Sequence, residues 1–343
     1  MTAAGGGAGT GDRPRLLERR PLGRTVGHPA QGPTEVEAVT FGTRDGLAAT
    51  VLTYGGHLCE VLAADRQGRR ANVVVHLGDL HAYEDRRRNP WVGALVGRYA
   101  NRIAGARYRL DGVEHELAPN EGPNQLHGGP IGWDRHVWEL RTEDDDEGVD
   151  VVLGLTSPAG DQGHPGTVRV EARYRIDRHD RLSLSFDATT DAPTMLSLTT
   201  HAYWNLAGGG PVTGHELQVA AGEVVEVDHA GLPRGRLVPV AGTAFDHRTA
   251  RPVQPALDHC LVLDRADLQA VLWDPSSGRQ LALTTDQSGL QVYAGEALDP
   301  PHTGIGLEPQ QLPDAPNQPG FPSPVLRPGQ RFTARTVLAF SAR

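Results

Sequence analysis

From Glu35 onward the chain alternates hydrophobic and polar residues with a period of two, in short runs. EVEAVTF (35–41), LAATVLTY (47–54), HLCEVLAA (57–64) and ANVVVHL (71–77) are each bounded by Gly, Asp or Arg. Such runs predict strands. HVWELRT, VDVVLGLTS, TVRVEARYRID, RLSLSFDATT and QLALTTD, between 136 and 286, predict more of them. In ARYRLDGVEHEL (106–117) Asp111-Gly112 separates two alternating segments and supplies the positive φ of a two-residue hairpin turn. The acidic run Glu143–Glu147 reads as a solvated hairpin tip, because consecutive acids repel and do not converge on a metal. Only LGDLHAYED (77–85) and DRADLQAVL (264–272) have helical character.

With no composition break after residue 34 and no internal repeat, the pattern predicts an all-β fold. We expect one large antiparallel β-sandwich domain over 35–343, its site carried by edges and long loops. Residues 1–34 are rich in Gly, Ala and Pro. Up to residue 33 they hold five arginines against two acids, which predicts a disordered basic tail.

Composition narrows the chemistry. A formal net charge of −9 argues against a nucleic-acid partner, which requires clustered cations. All 33 basic residues are arginine. Without lysine, neither Schiff-base catalysis nor a Walker-type phosphate loop is available. Cys59 and Cys260 are too few for a disulfide framework or a cysteine zinc site and read as buried thiols. No run approaches the ~18–20 apolar residues of a membrane helix, and the N-terminus has no apolar signal core, so the expectation is a cytoplasmic protein without a membrane partner.

Five segments place titratable side chains beside Gly, Pro or amides instead of within strand alternation. They are GRYANRIAG (97–105), PNQLHGG (123–129), LTTHAYWNLAG (198–208), LDHCLVL (257–263) and GIGLEPQQLPDAPNQ (304–318). In the last, Glu308 stands where an apolar run gives way to a segment expected to be a rigid polar loop. A carboxylate there can cap the loop by accepting backbone N–H groups, or it can be a catalytic base.

Together the five segments resemble the aldose 1-epimerases, the mutarotases that interconvert the α and β anomers of free sugars. The resemblance spans about residues 35–343 and keeps the family's motif order, and it implies that family's large β-sandwich. It further implies Glu308 as general base and His201 as general acid, with Arg102, His127 and Asp258 binding the sugar. Asn101 and Tyr203 match positions that line the pocket, and Gln291, in LQVYAGEAL, matches a position that contacts substrate. Two positions depart from the family pattern: Thr200 stands where Asn is usual before the histidine, and Trp204 where Phe is common.

The residue types suit that chemistry. Opening a cyclic hemiacetal removes the proton of the anomeric hydroxyl and delivers one to the ring oxygen, which calls for a carboxylate acceptor and an imidazole donor. No electrons, phosphate or carbon skeleton move, so no cofactor and no metal are expected. Tyr203, Trp204 and Trp133 are candidate apolar platforms for the sugar's C–H face, and each can equally belong to the core. Two histidines and two carboxylates can also make a metal site, but no pair stands at i, i+2 or i, i+4 and all lie at least fifty residues apart. A non-catalytic sugar-binding module is the alternative on the same fold, and a hexose 6-phosphate enzyme would need cations that the motifs do not supply.

Overall fold

The computed structural model describes residues 14–26 and 31–343. Alternation sets its sheets. In Val168–Asp177 every second residue is buried, and Arg181–Thr190 answers it across an antiparallel register running from Val168↔Thr190 to Ile176↔Leu182. These two strands belong to a nine-stranded sheet. Its spatial order is Glu139–Asp145, Gly148–Ser157, Val168–Asp177, Arg181–Thr190, Phe332–Ala342, Arg279–Thr285, Ala270–Trp273, Glu216–Val219 and Arg251–Pro252. Phe332–Ala342, near the C-terminus, is central and bonds to a strand on each side.

A five-stranded meander comprises Arg15–Arg24, Glu35–Thr43, Ala48–Leu52, Leu58–Ala64 and Arg70–Asn72. A six-stranded sheet runs Tyr203–Trp204, Ile305–Gln310, Gly289–Tyr293, Asp258–Val262, Glu223–Val227, Pro233–Pro239. One buried cluster draws on all three sheets: Phe41 and Val51 from the meander, Leu153 and Tyr174 from the large sheet, Val292 and Leu307 from the third. Burying each such aliphatic side chain contributes about 1.5–3 kcal/mol. The architecture is the expected all-β antiparallel sandwich. The hairpin at 107–116 forms as read, with φ of 51° at Asp111 and 83° at Gly112.

Four local expectations need correction. The predicted tail contains a ten-residue strand, Arg15–Arg24, paired along its length with Glu35–Thr43. Main-chain hydrogen bonds hold it, and its mostly outward side chains pair with acids: Arg19 with Glu37 at 2.7 Å, and Arg15 with Asp144 of the acidic hairpin tip. The rest of the tail expectation, 1–13 and 27–30, falls outside the described residues. DRADLQAVL is not helical. Its end forms the strand Ala270–Trp273, flanked on both sides by strands that its β-branched and apolar residues suit.

ANVVVHL leaves its sheet after Asn72. Val74 bridges to Trp204 and the Val75 N–H donates to the Tyr203 carbonyl, so the chain crosses to the site-bearing sheet. Pro309 and Gln310 are strand residues, not loop, paired with Leu290 and Gly289. The flanking Tyr203–Trp204 reaches only Ile305 and Gly306, which leaves Pro309 the one-sided position that proline tolerates. The α-helix Leu80–Glu84 is short as expected, capped by Asp79, which accepts the Ala82 N–H at 2.8 Å. Among the described residues no helix is long and apolar enough to cross a membrane.

Candidate active site

Three adjacent strands of the six-stranded sheet bring three of the singled-out side chains to one face. Gln291 lies directly opposite Glu308 in the ladder, and Asp258 is two residues from Cys260, which lies opposite Gln291. With a side-chain period of two, all three point the same way. Gln291 Nε2 donates to Asp258 Oδ1 at 2.6 Å. Ile305–Gln310 is buried at every position, which is why Glu308 stands in an apolar run without alternation.

The loops supply the rest. His201 follows the two-residue strand Thr199–Thr200, and its backbone bonds to Ala94 and Gly93. GRYANRI and the His-Gly-Gly turn fit together because Gly128, at φ 85°, sits on Gly97: a Cβ at 128 would come within 2.0 Å of the Gly97 carbonyl oxygen. Asn101, Arg102 and His127 are thereby fixed beside the sheet. The loop after Glu308 clamps the same region: Asp314 donates its N–H to the Arg102 carbonyl, and its carboxylate accepts from Ala104 N, Asn317 Nδ2 and Gln318 Nε2. The capping role open to Glu308 therefore belongs to Asp314.

These elements enclose a cavity of about 240 Å³ lined by all eight singled-out residues: Asn101, Arg102, His127, His201, Tyr203, Asp258, Gln291 and Glu308. That is below the ~300–1,000 Å³ of drug-sized sites and fits a small ligand. Glu308 and His201 are 1 % and 4 % exposed. His201 Nε2 stands 3.6 Å from Glu308 Oε1, too far for a direct hydrogen bond, while among the described residues Glu308 Oε2 and His201 Nδ1 have no partner.

Burial, reinforced by the Asp258 charge and only partly offset by Arg102, raises the Glu308 pKa well above the usual carboxylate value. Burial lowers His201 to about 4, against the opposing charge of Asp134. The proximity alone reads as an ion pair, but both shifts favour neutral groups, and with desolvation dominant we read a neutral pair in the empty cavity.

Arg102 is not a free cation. Its Nε and a terminal nitrogen donate to the two Glu121 oxygens, each at 2.8 Å. Burial opposes its charge, but Glu121 outweighs that and raises its pKa. Tyr203 commits its hydroxyl to the Pro90 carbonyl at 3.1 Å and offers its ring, 4.8 Å from that of His201.

Of the two readings open to the candidate aromatics, platform or core, the structure gives the tryptophans the second. Trp133 and Trp204 belong to the main core, Trp133 lying where any Cβ on Gly97 would clash. The tryptophan in the cavity wall is Trp91, 4.8 Å from the His127 ring and beneath the Arg86 guanidinium at 4.3 Å. Sequence reading missed Trp91 and Glu121, and also Tyr293 and Glu296 of the wall. Trp91 carried one signal, its place directly after Pro90 and six residues before the Gly-Arg-Tyr motif; Glu121 carried none beyond its nearness to PNQLHGG.

Sequence separation also misled about metal. His127, His201 and Glu308 converge so that one candidate ligand atom from each lies within 4.8 Å of the others. Distance along the chain does not exclude such a cluster in a sandwich whose loops meet at one face.

The family profile described as aldose 1-epimerase matches residues 37–339. The chain is 36 % identical to a galactose mutarotase from Sus scrofa, over 87 % of this chain and 92 % of that protein. It is 33 % identical to an aldose 1-epimerase from Escherichia coli strain K12, over 89 % and 95 %. A solved galactose 1-epimerase from Lactobacillus acidophilus superposes with a TM-score of 0.82 at 28 % identity, covering 95 % of this chain and 99 % of that one. A solved aldose epimerase homologue from C. elegans gives 0.81 at 31 %, covering 87 % and 97 %. By cavity, motifs and similarity together, the chain belongs to the aldose 1-epimerase family.

Proposed function

We propose that the protein is an aldose 1-epimerase that interconverts the anomers of free, unphosphorylated aldoses by acid–base ring opening and closure. The observation that carries this reading is the buried Glu308–His201 pair, 3.6 Å apart in a small cavity walled by hydrogen-bonding side chains and Trp91. Glu308 takes the proton of the anomeric hydroxyl and His201 delivers one to the ring oxygen. The open-chain aldehyde turns about C1–C2 and closes on either face, and the protons return.

In the empty cavity the pair holds one proton, on the carboxyl side, and the charge-separated form differs from this only by transfer of that proton. Hydrogen bonds from sugar hydroxyls to Glu308 favour its carboxylate and draw the proton toward the imidazole. The two groups therefore titrate as a unit, and a pH–rate profile reports macroscopic values of the pair. Arg102, held by Glu121, presents its remaining donors to sugar hydroxyls, with Asp258 and Gln291 across from it. Trp91 takes the C–H face of the ring.

The substrate class follows from charge. Besides the neutral Glu308, the wall carries Glu121, Asp258 and Glu296 against Arg102, whose charge Glu121 already meets. A phosphoryl group would enter without a free cation. Polarimetry of freshly dissolved α-galactose, α-glucose and α-xylose, with and without protein, tests the proposal, with glucose 6-phosphate as the contrasting arm. Faster relaxation of neutral sugars supports it. Sugar binding without acceleration would establish the non-catalytic module instead.

A further inference from the structure

Asn101 and His127 hold each other through their backbones and one ring nitrogen. The His127 N–H donates to the Asn101 carbonyl at 3.1 Å, and the Asn101 N–H donates to His127 Nδ1 at 3.2 Å. Both residues take left-handed backbone conformations, φ 67° and 49°, which turn these groups toward one another. Asn101 tolerates that conformation, its Oδ1 accepting the Arg102 N–H at 2.9 Å.

A backbone amide only donates, so the ring nitrogen facing it must be an acceptor without a proton. Burial beside His201 and Arg102 holds His127 neutral, its pKa well below the ordinary histidine value. A neutral imidazole bare at Nδ1 carries its hydrogen on Nε2. Among the described residues Nε2 has no hydrogen-bond partner, and the ring lines the cavity.

We infer that the Asn101 backbone amide locks His127 as the Nε2–H tautomer, which makes Asn101 a positioning residue and His127 a donor-only contact for a sugar oxygen. The tautomer follows from the geometry alone; the sugar contact rests on the function proposed above. The two histidines then divide the work. His201, with Nδ1 unpartnered, is free to gain and lose a proton, whereas His127 cannot act as a base.

The lock also decides what the His127, His201, Glu308 cluster can hold. A metal needs the Nε2 lone pair, so the ring proton would have to move to Nδ1 and face the Asn101 N–H across 3.2 Å. The donor set does not suit a resident metal.

Long-range 1H–15N spectra of protein labelled in its imidazoles test the lock, with His127→Gln to assign the signals. At neutral pH His127 should show a protonated Nε2 and a bare Nδ1, and Asn101→Gly, which keeps the amide and the backbone conformation, should preserve that signature. A protonated Nδ1, or loss of the signature in Asn101→Gly, overturns the backbone lock. Mutarotation rates test the donor role. His127→Ala should lose about 10–100-fold, as for a contact worth roughly 1.4–2.8 kcal/mol. His127→Gln, whose amide nitrogen replaces Nε2–H, should recover most of that loss; His127→Asn, which replaces Nδ1 instead, should not. Equal loss in the Gln and Asn variants overturns the donor role. An inactive wild type that keeps the tautomer signature defeats the proposed function and leaves the lock standing.

Discussion

Arg98 and Glu308 are both ionisable, are 2 % and 1 % exposed, and lie in family motifs, yet the fold treats them in opposite ways. Arg98 is met on every side: Nε donates to Ser157 Oγ, and the two terminal nitrogens donate to the carbonyls of Ser157, Pro158, Pro165 and Gly166 and to Thr194 Oγ1. Burial lowers its pKa only to about 10, so it stays charged near neutrality. Glu308 has an oxygen with no partner among the described residues, and its other oxygen stands 3.6 Å from His201. A buried polar group is costly unless satisfied. Arg98 joins four segments of chain, whereas Glu308 is left incomplete, as the proposed base would be before a substrate binds.

The largest expected effect tests the Glu308 side. Glu308→Gln keeps the shape and removes the base, so it should slow mutarotation by about 10²–10⁴-fold. It should also raise the midpoint of thermal unfolding at neutral pH, because the amide spares the proton uptake that burying this carboxyl requires. His201→Asn should cost a similar factor in rate. If both groups serve one proton exchange, as proposed, the double variant should lose much less than the product of the single losses. A Glu308→Gln protein within about threefold of wild type would refute the assignment.

The next effect tests the Arg98 side. Arg98→Met leaves the carbonyls of Ser157, Pro158, Pro165 and Gly166 without this donor, and should cost about 3–5 kcal/mol of stability. Urea unfolding with an unchanged midpoint would dissolve the contrast between the two residues.

The smallest effect is pH-dependent and sharpens the sign. His201 has its folded pKa drawn down to about 4, against about 6.5 unfolded. As pH falls through that window the unfolded chain takes up the proton first, so this histidine's contribution is lost, by at most ~3 kcal/mol. Glu308 acts oppositely: its raised pKa means that stability is lost as pH rises above about 4.5 toward the folded value. Chemical denaturation from pH 4 to 8 should show a weaker acid-side loss in His201→Asn and a weaker alkaline-side loss in Glu308→Gln. Slopes unchanged by both substitutions would contradict the buried neutral pair.

Much of this was legible in the sequence where a pattern has one physical cause. Val168–Asp177 alternates because one face meets the core, and Asp111-Gly112 marks a turn because its φ angles must be positive. Arg15–Arg24 was opaque because main-chain pairing, not an apolar face, holds it. The eight singled-out residues line one cavity, but they were found through motif resemblance; alternation says nothing of a residue such as Glu308 in a strand buried on both faces. Trp91 and Glu121 escaped because they act through contacts made by distant loops. The same loops defeated the spacing argument about the two histidines.

The Asp314 clamp has a consequence for anyone who would retune this protein. It ties the segment carrying Arg102 to the chain that leaves the Glu308 strand, so under the proposed roles the hand that grips a ligand and the group that reacts with it would share one hinge point. Libraries that vary residues 314–318 would scramble grip and reactivity together. New preferences are better sought at Glu296, an exposed residue of the cavity wall, where the side chain can change without loosening the Asp314 clamp.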